Sequence, residues 1–375
     1  MIAILGIVTT LLGAILPLIS QRWSLSTVQA GQLFSWQFAS ATIATVTSAW
    51  VFQKRAFKMP ILIGIALSLL GVGFLSRVDW QFGRYCIACY GAGLGLSLPA
   101  LNLAVSEANP GRRAASLSWL NAFWAAGAVG GPLLLLLTRN LDRFLLLLAI
   151  ALSTCLVLSF LLPVSTQSTN PPELSRAAQQ SGRLKLAIAL SFAFFLLVGS
   201  ENAVSGWASS LALPQFSNAY AAAAAPAAFW TFFLASRAAA APLALRRLRE
   251  AQVMSCGLAC AVAAIVAFFM VKSPFLVLAA CALAGLGIAP AVPVVIAEVS
   301  AILGEHNPAS TVCFAAGGAG AATLPALVGI LATKTGIAKA GLAVPMTALS
   351  LVLIAGLTSG KRQSKKLHVA VEPAD

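Results

Sequence analysis

The residue best placed to do chemistry is a glutamate inside an apolar run. Glu201 stands in Leu196-Leu-Val-Gly-Ser-Glu-Asn-Ala-Val204, near the middle of a stretch long enough to cross a bilayer. A charge there costs about 2.5–3.5 kcal/mol on insertion scales, so it is expected to face a bundle interior or a wet cavity. In such a place a carboxylate can hydrogen-bond a solute or carry a proton. The plainer alternative is a structural pair with a group on a neighbouring helix. Arg237, in Ser236-Arg-Ala-Ala-Ala-Ala-Pro242, can serve an anionic solute, a gate, or a helix end from which the side chain snorkels to the interface. Glu298 and Glu107 close apolar blocks near a membrane face, where a carboxylate is inexpensive to hold. Glu201, Arg237 and Glu298 are the candidates for coupling and gating.

A second group of residues suits recognition of a polar solute. Sugars are held by planar amides and by aromatic rings against their C–H faces, inside a largely apolar pocket. The candidates are Gln32, Trp36 and Gln37, then Asn102, Asn121 and Trp124, then Glu201, Asn202, Trp207 and Trp230. Gln32 and Trp36 are four residues apart and share one helix face. The competing role for any of these tryptophans is an anchor at the membrane interface. Glu201 and Asn102 are expected to line one central cavity from opposite halves of the chain.

Other chemistries lack their residues. Neither histidine, His306 or His368, lies in an apolar block, and no metal-ligand spacing is present. The pair Cys86-Ile-Ala-Cys89 has redox spacing but no βαβ surroundings, and the seven cysteines all fall in apolar blocks. No phosphate-binding glycine loop ending in Lys-Ser or Lys-Thr occurs, so ATP drive and a bound cofactor are not expected. An intramembrane enzyme would need paired acids, a histidine cluster or a nucleophile with its base.

The elements that must position these residues are membrane helices. Of 375 residues, 59% are hydrophobic and only 9% charged, and the mean hydropathy is +0.91. A soluble domain carries about 25% charged residues, so a water-soluble enzyme is excluded. Runs such as Leu133–Leu137 do not alternate, which excludes a membrane β-barrel. The net charge of +14 is scattered in ones, twos and threes between apolar blocks. That is orientation charge rather than a nucleic-acid footprint. On a ruler of about 20 residues per span, twelve blocks are expected, near 2–20, 30–51, 60–77, 84–106, 114–137, 144–163, 185–212, 222–244, 251–271, 275–299, 309–332 and 340–358. The first lacks a basic lead and a cleavage site, and reads as a retained helix rather than a signal peptide.

The long polar segment 164–184 divides the blocks six and six. The expected organisation is an all-α membrane protein: a six-helix bundle over 1–163, a cytoplasmic linker over 164–184, a second bundle over 185–358 and a cytoplasmic tail over 359–375. Lysines and arginines are concentrated in the segments that lie inside when both termini are cytoplasmic, Lys54, Arg55, Arg112, Arg113, Arg246, Arg247, Lys361 and Arg362 among them. The halves repeat each other. Ala92-Gly-Leu-Gly95 with Asn109-Pro110 returns as Ala284-Gly-Leu-Gly287 with Asn307-Pro308. Gly127, Gly130, Gly131 and Pro132 return as Gly317, Gly318, Gly320 and Pro325. Repeated halves with glycine- and proline-bearing helices mark transporters.

On these stretches the sequence resembles the major facilitator superfamily over nearly its whole length. Within it the likeness is to the fucose permease-like branch of sugar transporters. It is carried by Gly91-Ala-Gly-Leu-Gly95 with Asn102 and Trp119-Leu-Asn121, by Gly199-Ser-Glu-Asn-Ala-Val-Ser-Gly206-Trp207, and by Gly285-Leu-Gly-Ile-Ala-Pro290 with Phe314-Ala-Ala-Gly-Gly318. The resemblance implies twelve transmembrane helices in two pseudo-symmetric bundles and alternating access about a central cavity. It implies a small-molecule substrate, perhaps with protons, in the lipid bilayer of the inner membrane, handled by a monomer. The chain departs from the branch in three places. The first block has no acid, Leu98 stands about where a glutamate is expected, and Ser48-Ala-Trp-Val-Phe-Gln-Lys-Arg55 lacks the superfamily's loop aspartate. Other readings are an exporter of drugs or metabolites, or a receptor or scaffold that transports nothing.

Overall fold

The computed structural model describes residues 1–51, 57–108, 113–162, 181–247, 250–303 and 308–369. Among the described residues all regular structure is helical. The first six helices are α1 (Ile2–Arg22), α2 (Thr27–Val51), α3 (Lys58–Leu75), α4 (Trp80–Ala108), α5 (Arg113–Thr138) and α6 (Leu141–Phe160). Then follow α7 (Ser181–Ala212), α8 (Ala219–Ala222), α9 (Ala224–Arg247), α10 (Glu250–Met270), α11 (Pro274–Ile288), α12 (Ala291–Leu303), α13 (Pro308–Thr335) and α14 (Ile337–Val369). Among the described residues ten stretches are long and apolar enough to cross a membrane. Two expected blocks fall short of that measure. The threonine- and serine-rich α2 is too polar, and in α10 the apolar part is confined to Gln252–Phe268.

Several boundaries move. The expected linker 164–184 lies outside the described residues up to position 180, and its last four residues already belong to α7. The expected tail from 359 continues α14 as helix to Val369. The tenth block is two helices. Pro290 has no N–H to offer its predecessor's turn, so α11 stops at Ile288 and α12 restarts at Ala291.

Tight turns close one end of the molecule. Ser24 and Arg139 adopt positive φ between α1 and α2 and between α5 and α6, and Gly336 (φ 82°) does so between α13 and α14. Asn140 caps α6 by accepting from the Arg143 backbone N–H. At this same end the Arg22 guanidinium grips Asp142 through two hydrogen bonds of 2.8 and 3.0 Å. Both side chains are largely in solvent, so the pair is worth at most about 1 kcal/mol.

Close approach through glycine holds the helices together, because lipid tails give apolar helices no hydrophobic reason to associate. Gly64 and Gly93 sit back to back, so that a Cβ on either would strike the other's carbonyl. Gly257 and Gly287 repeat that arrangement between α10 and α11. Along α1 and α5, Gly6 meets the Trp124 carbonyl, Gly127 meets Ala3, and Gly131 meets Ile7. Along α7 and α13, Gly199 meets Leu324, while Gly317 and Gly320 meet Phe194 and Phe195. The repeat seen in the sequence is therefore a repeat of packing seams. Its register differs from the four-letter match by two residues: Gly91 and Gly93 face α2 and α3 as Gly285 and Gly287 face α9 and α10.

The two halves meet through three seams. In α1–α7, Gly13 touches Ser205 and Gly206, and the Ser209 hydroxyl donates to the Gly13 carbonyl. In α2–α13, Gly31 lies against Pro325 and Ala326, Gly329 against Thr27, and Ser35 donates to the Ala322 carbonyl at 2.7 Å. In α5–α9 the Trp124 and Trp230 rings meet edge to face. The Tyr220 hydroxyl adds a contact with the Leu141 backbone N–H.

If side-chain-free contact sets the α1–α7 seam, Gly13→Leu will destabilise the protein by roughly 1–3 kcal/mol or more, as overpacking does. Gly73→Leu, where nothing lies within 4 Å of an added Cβ, will not. Thermal unfolding of the two purified variants in detergent separates these outcomes.

Candidate functional site

Where the seams leave space, a cavity of about 110 Å³ opens between the halves, room for several waters. From the first half it is lined by Thr9, Thr10, Leu12 and Gly13 of α1, Phe34, Gln37 and Phe38 of α2, and Trp124 of α5. From the second half come Glu201, Asn202, Ser205 and Gly206 of α7 and Trp230 of α9. The apolar wall is Phe and Leu, Gly13 and Gly206 line it where α1 and α7 touch, and the polar groups converge from five helices.

Glu201 holds the central charge. No described residue donates a hydrogen bond to its carboxylate, and it makes no ion pair. Arg237 acts on it electrostatically without touching it. The guanidinium instead lies 4.4 Å over the Phe233 ring, and its buried Nε has no partner. One turn of α7 beyond Glu201, Ser205 donates to the Glu201 carbonyl at 2.8 Å. Asn202 donates to the Val198 carbonyl at 2.8 Å, which leaves its amide oxygen open.

The first half supplies a pinned polar corner. Gln37 is 1% exposed. Its Nε2 donates to the Thr9 carbonyl at 2.9 Å, and its Oε1 accepts from the Tyr90 hydroxyl at 3.2 Å. One side chain thereby ties α1, α2 and α4, as a satisfied buried amide does. The Trp124 indole N–H donates to the Thr9 hydroxyl at 3.4 Å. The Trp230 ring stands across Trp124 at 87° with centroids 5.7 Å apart.

The structure brings together Trp124, Glu201, Asn202 and Trp230 of the expected site residues, with Gln37 beside them. The others it places elsewhere. Gln32 and Trp36 occupy the exposed face of α2, where Trp36 packs on Tyr85 and under the Arg84 guanidinium, an interfacial cluster. Asn102 is not among the residues that line this cavity with Glu201. Its amide donates to the Leu98 carbonyl one turn back in its own helix. Asn121 is exposed and does the same to Leu117. Trp207 is fully buried, packs on Phe34, and donates its indole N–H to the Pro325 carbonyl at 3.0 Å, so it braces the seam rather than touching a solute. Glu298 is exposed on α12, away from the cavity, and Arg237 stands behind the lining rather than in it. Thr9, Thr10 and Ser205 were not anticipated. A threonine pair in an otherwise apolar first helix was the available signal.

A multi-pass helical protein with a polar cavity between repeated halves is the architecture of a membrane solute carrier. The chain belongs to the Major Facilitator Superfamily, whose family model matches residues 1–315. No curated protein matches it. Among solved structures it is similar to a POT family transporter in complex with 5-aminolevulinic acid (TM-score 0.74, 16% identity, 96% of this chain and 95% of that one). It is similar to the nucleoside transporter NupG (0.71, 14%, 95% and 98%) and to the E. coli fucose:proton symporter FucP (0.59, 17%, 95% and 96%). Family and neighbours alike are transporters, so this chain is a transporter and not an enzyme.

The bracing role of Trp207 has a direct test. Trp207→Phe keeps a ring but removes the indole hydrogen bond to the Pro325 carbonyl, which still accepts its own helical N–H, so the loss is about 0.5–1.5 kcal/mol. Thermal unfolding will show that loss, whereas Gln32→Ala and Trp36→Phe will leave solute transport unchanged.

Proposed function

We propose that the chain is a secondary transporter of a small polar solute, working by alternating access between two six-helix halves. The observation that supports this best is the composition of the cavity, which takes α1, α2 and α5 from one half and α7 and α9 from the other around the undonated carboxylate of Glu201. In this reading 1–162 and 181–358 are the halves, twelve helices cross the inner membrane, and both termini and the linker are cytoplasmic. The unit is a monomer. Trp124, Glu201, Asn202 and Trp230 hold the solute, and Gln37 fixes the polar corner beside them. The resemblance to the fucose permease-like branch brings sugars as one class of small polar solute, and symport with protons is the mode.

Glu201 is the coupling residue in this reading, because it alone among the cavity-lining residues carries an ionisable side chain. Arg237 is its electrostatic neighbour, and restrains the charge from behind the cavity wall. Solute and proton then compete for, or share, one carboxylate, which is the simplest way to link two fluxes.

Reconstitution in proteoliposomes tests the reading. With a pH gradient the parent should accumulate its solute. Glu201→Gln, which cannot ionise, should lose accumulation at least about tenfold while solute exchange across the membrane survives. Unchanged solute-driven proton movement in Glu201→Gln would remove the carboxylate from the coupling mechanism. A membrane-impermeant maleimide should reach Ser168→Cys from the cytoplasmic side only.

A further inference from the structure

We propose that the cavity selects a small solute bearing an ammonium group in preference to a neutral sugar. This rests on the reading of the cavity as the solute site. It follows from which hydrogen-bonding groups in the lining are already occupied.

The donors are nearly all engaged within the protein. The Thr9 hydroxyl donates to the Leu5 carbonyl at 2.7 Å, and the Thr10 hydroxyl to the Gly6 carbonyl at 3.2 Å. The Ser205 hydroxyl donates to the Glu201 carbonyl, the Trp124 indole to Thr9, the Gln37 amide to the Thr9 carbonyl and the Asn202 amide to the Val198 carbonyl. What remains is the Trp230 indole N–H and one amide hydrogen each on Gln37 and Asn202. The acceptors are the reverse. Both Glu201 carboxylate oxygens and the Asn202 amide oxygen have no donor among the described residues, and they sit one residue apart on α7.

That inventory separates two ligand chemistries. A hydroxyl is both donor and acceptor, so a sugar ringed by hydroxyls needs many protein donors as well as acceptors. An ammonium carries only donors and needs only acceptors. It also brings the charge that Glu201 lacks, because Arg237 makes no ion pair with it and its guanidinium is held over Phe233. A largely buried carboxylate without a donor is costly to leave alone. The Trp124 and Trp230 rings add a third argument. Set at 87° to one another, they wall a corner with π-surface, which attracts a cation. The small size of the cavity suits a compact headgroup rather than a disaccharide.

Protection from carbodiimide modification tests this without requiring transport. The full-length protein is treated in detergent with N,N′-dicyclohexylcarbodiimide, and modification of Glu201 is followed by peptide mass spectrometry. Glu107 and Glu298 serve as internal controls and Glu201→Gln as the blank. Ethanolamine and tetramethylammonium should slow modification of Glu201 at least about threefold, while fucose and mannitol should not. Trp230→Phe, which keeps the π-face and loses the N–H, should retain that protection, and Trp230→Leu should lose it. Protection by the polyols equal to or greater than that by the ammonium compounds, or no protection by either ammonium compound, would overturn the proposal. So would a Glu201 that the reagent cannot reach. Failure of the transport reading looks different: protection by ammonium compounds with no counterflow of ammonium or sugar in proteoliposomes.

Discussion

Helices in lipid cohere only as closely as their surfaces allow, and in this protein the limit is set by backbone meeting backbone. Gly64 against Gly93, Gly257 against Gly287, and Gly127 against Ala3 are contacts in which a single added carbon would collide with a carbonyl. The same device, applied between halves at Gly13 and Gly206, defines where the cavity ends. The space itself persists where Phe34, Phe38, Trp124 and Trp230 prop the helices apart. Small residues and aromatic residues thus divide the labour. One kind removes space and the other preserves it, and the polar chemistry is confined to what is preserved.

The polar groups follow a similar division. Gln37 and Tyr90 are satisfied within the protein and fasten α1, α2 and α4 into one body. Glu201 and the Asn202 oxygen line the cavity with no donor among the described residues. A network with all its partners rigidifies, and a buried group without one is costly to hold. The contrast between neighbouring helices is what gives the cavity a direction, with a closed polar corner on α1 and α2 and an open one on α7.

Much of this was legible in the sequence because hydrocarbon makes misplaced polarity conspicuous. Glu201 could be found from one letter in an apolar run, and the repeat from Gly and Pro spacing. The phase of a helix was less accessible. Gln32 with Trp36 and Phe34 with Gln37 and Phe38 are different faces of α2, separated by only about 100° per residue. Nothing in the spacing says which face meets Thr9 and which meets Arg84. Asn102 and Asn121 misled for another reason. An amide can satisfy itself on the carbonyl one turn back, so a polar letter in a helix does not by itself demand a partner. Trp207 depended on tertiary contact with Phe34 and Pro325, far away in the chain. The two-residue shift between the glycine repeats shows the same limit, since letters can match in one register while the packing repeats in another.

The contact between Gly13 and Gly206 has a mechanical consequence. Two helices that cross through interlocked side chains behave like meshed gears, and turning one against the other means stripping teeth. Two helices that cross where neither has a side chain behave like a bearing. Resistance to rotation there comes from backbone contacts over a small area and from the single hydrogen bond of the Ser209 hydroxyl to the Gly13 carbonyl. Such a joint, midway along α1 and toward the C-terminal end of α7, works as a fulcrum. A modest turn at the joint becomes a large displacement at the far ends of both helices.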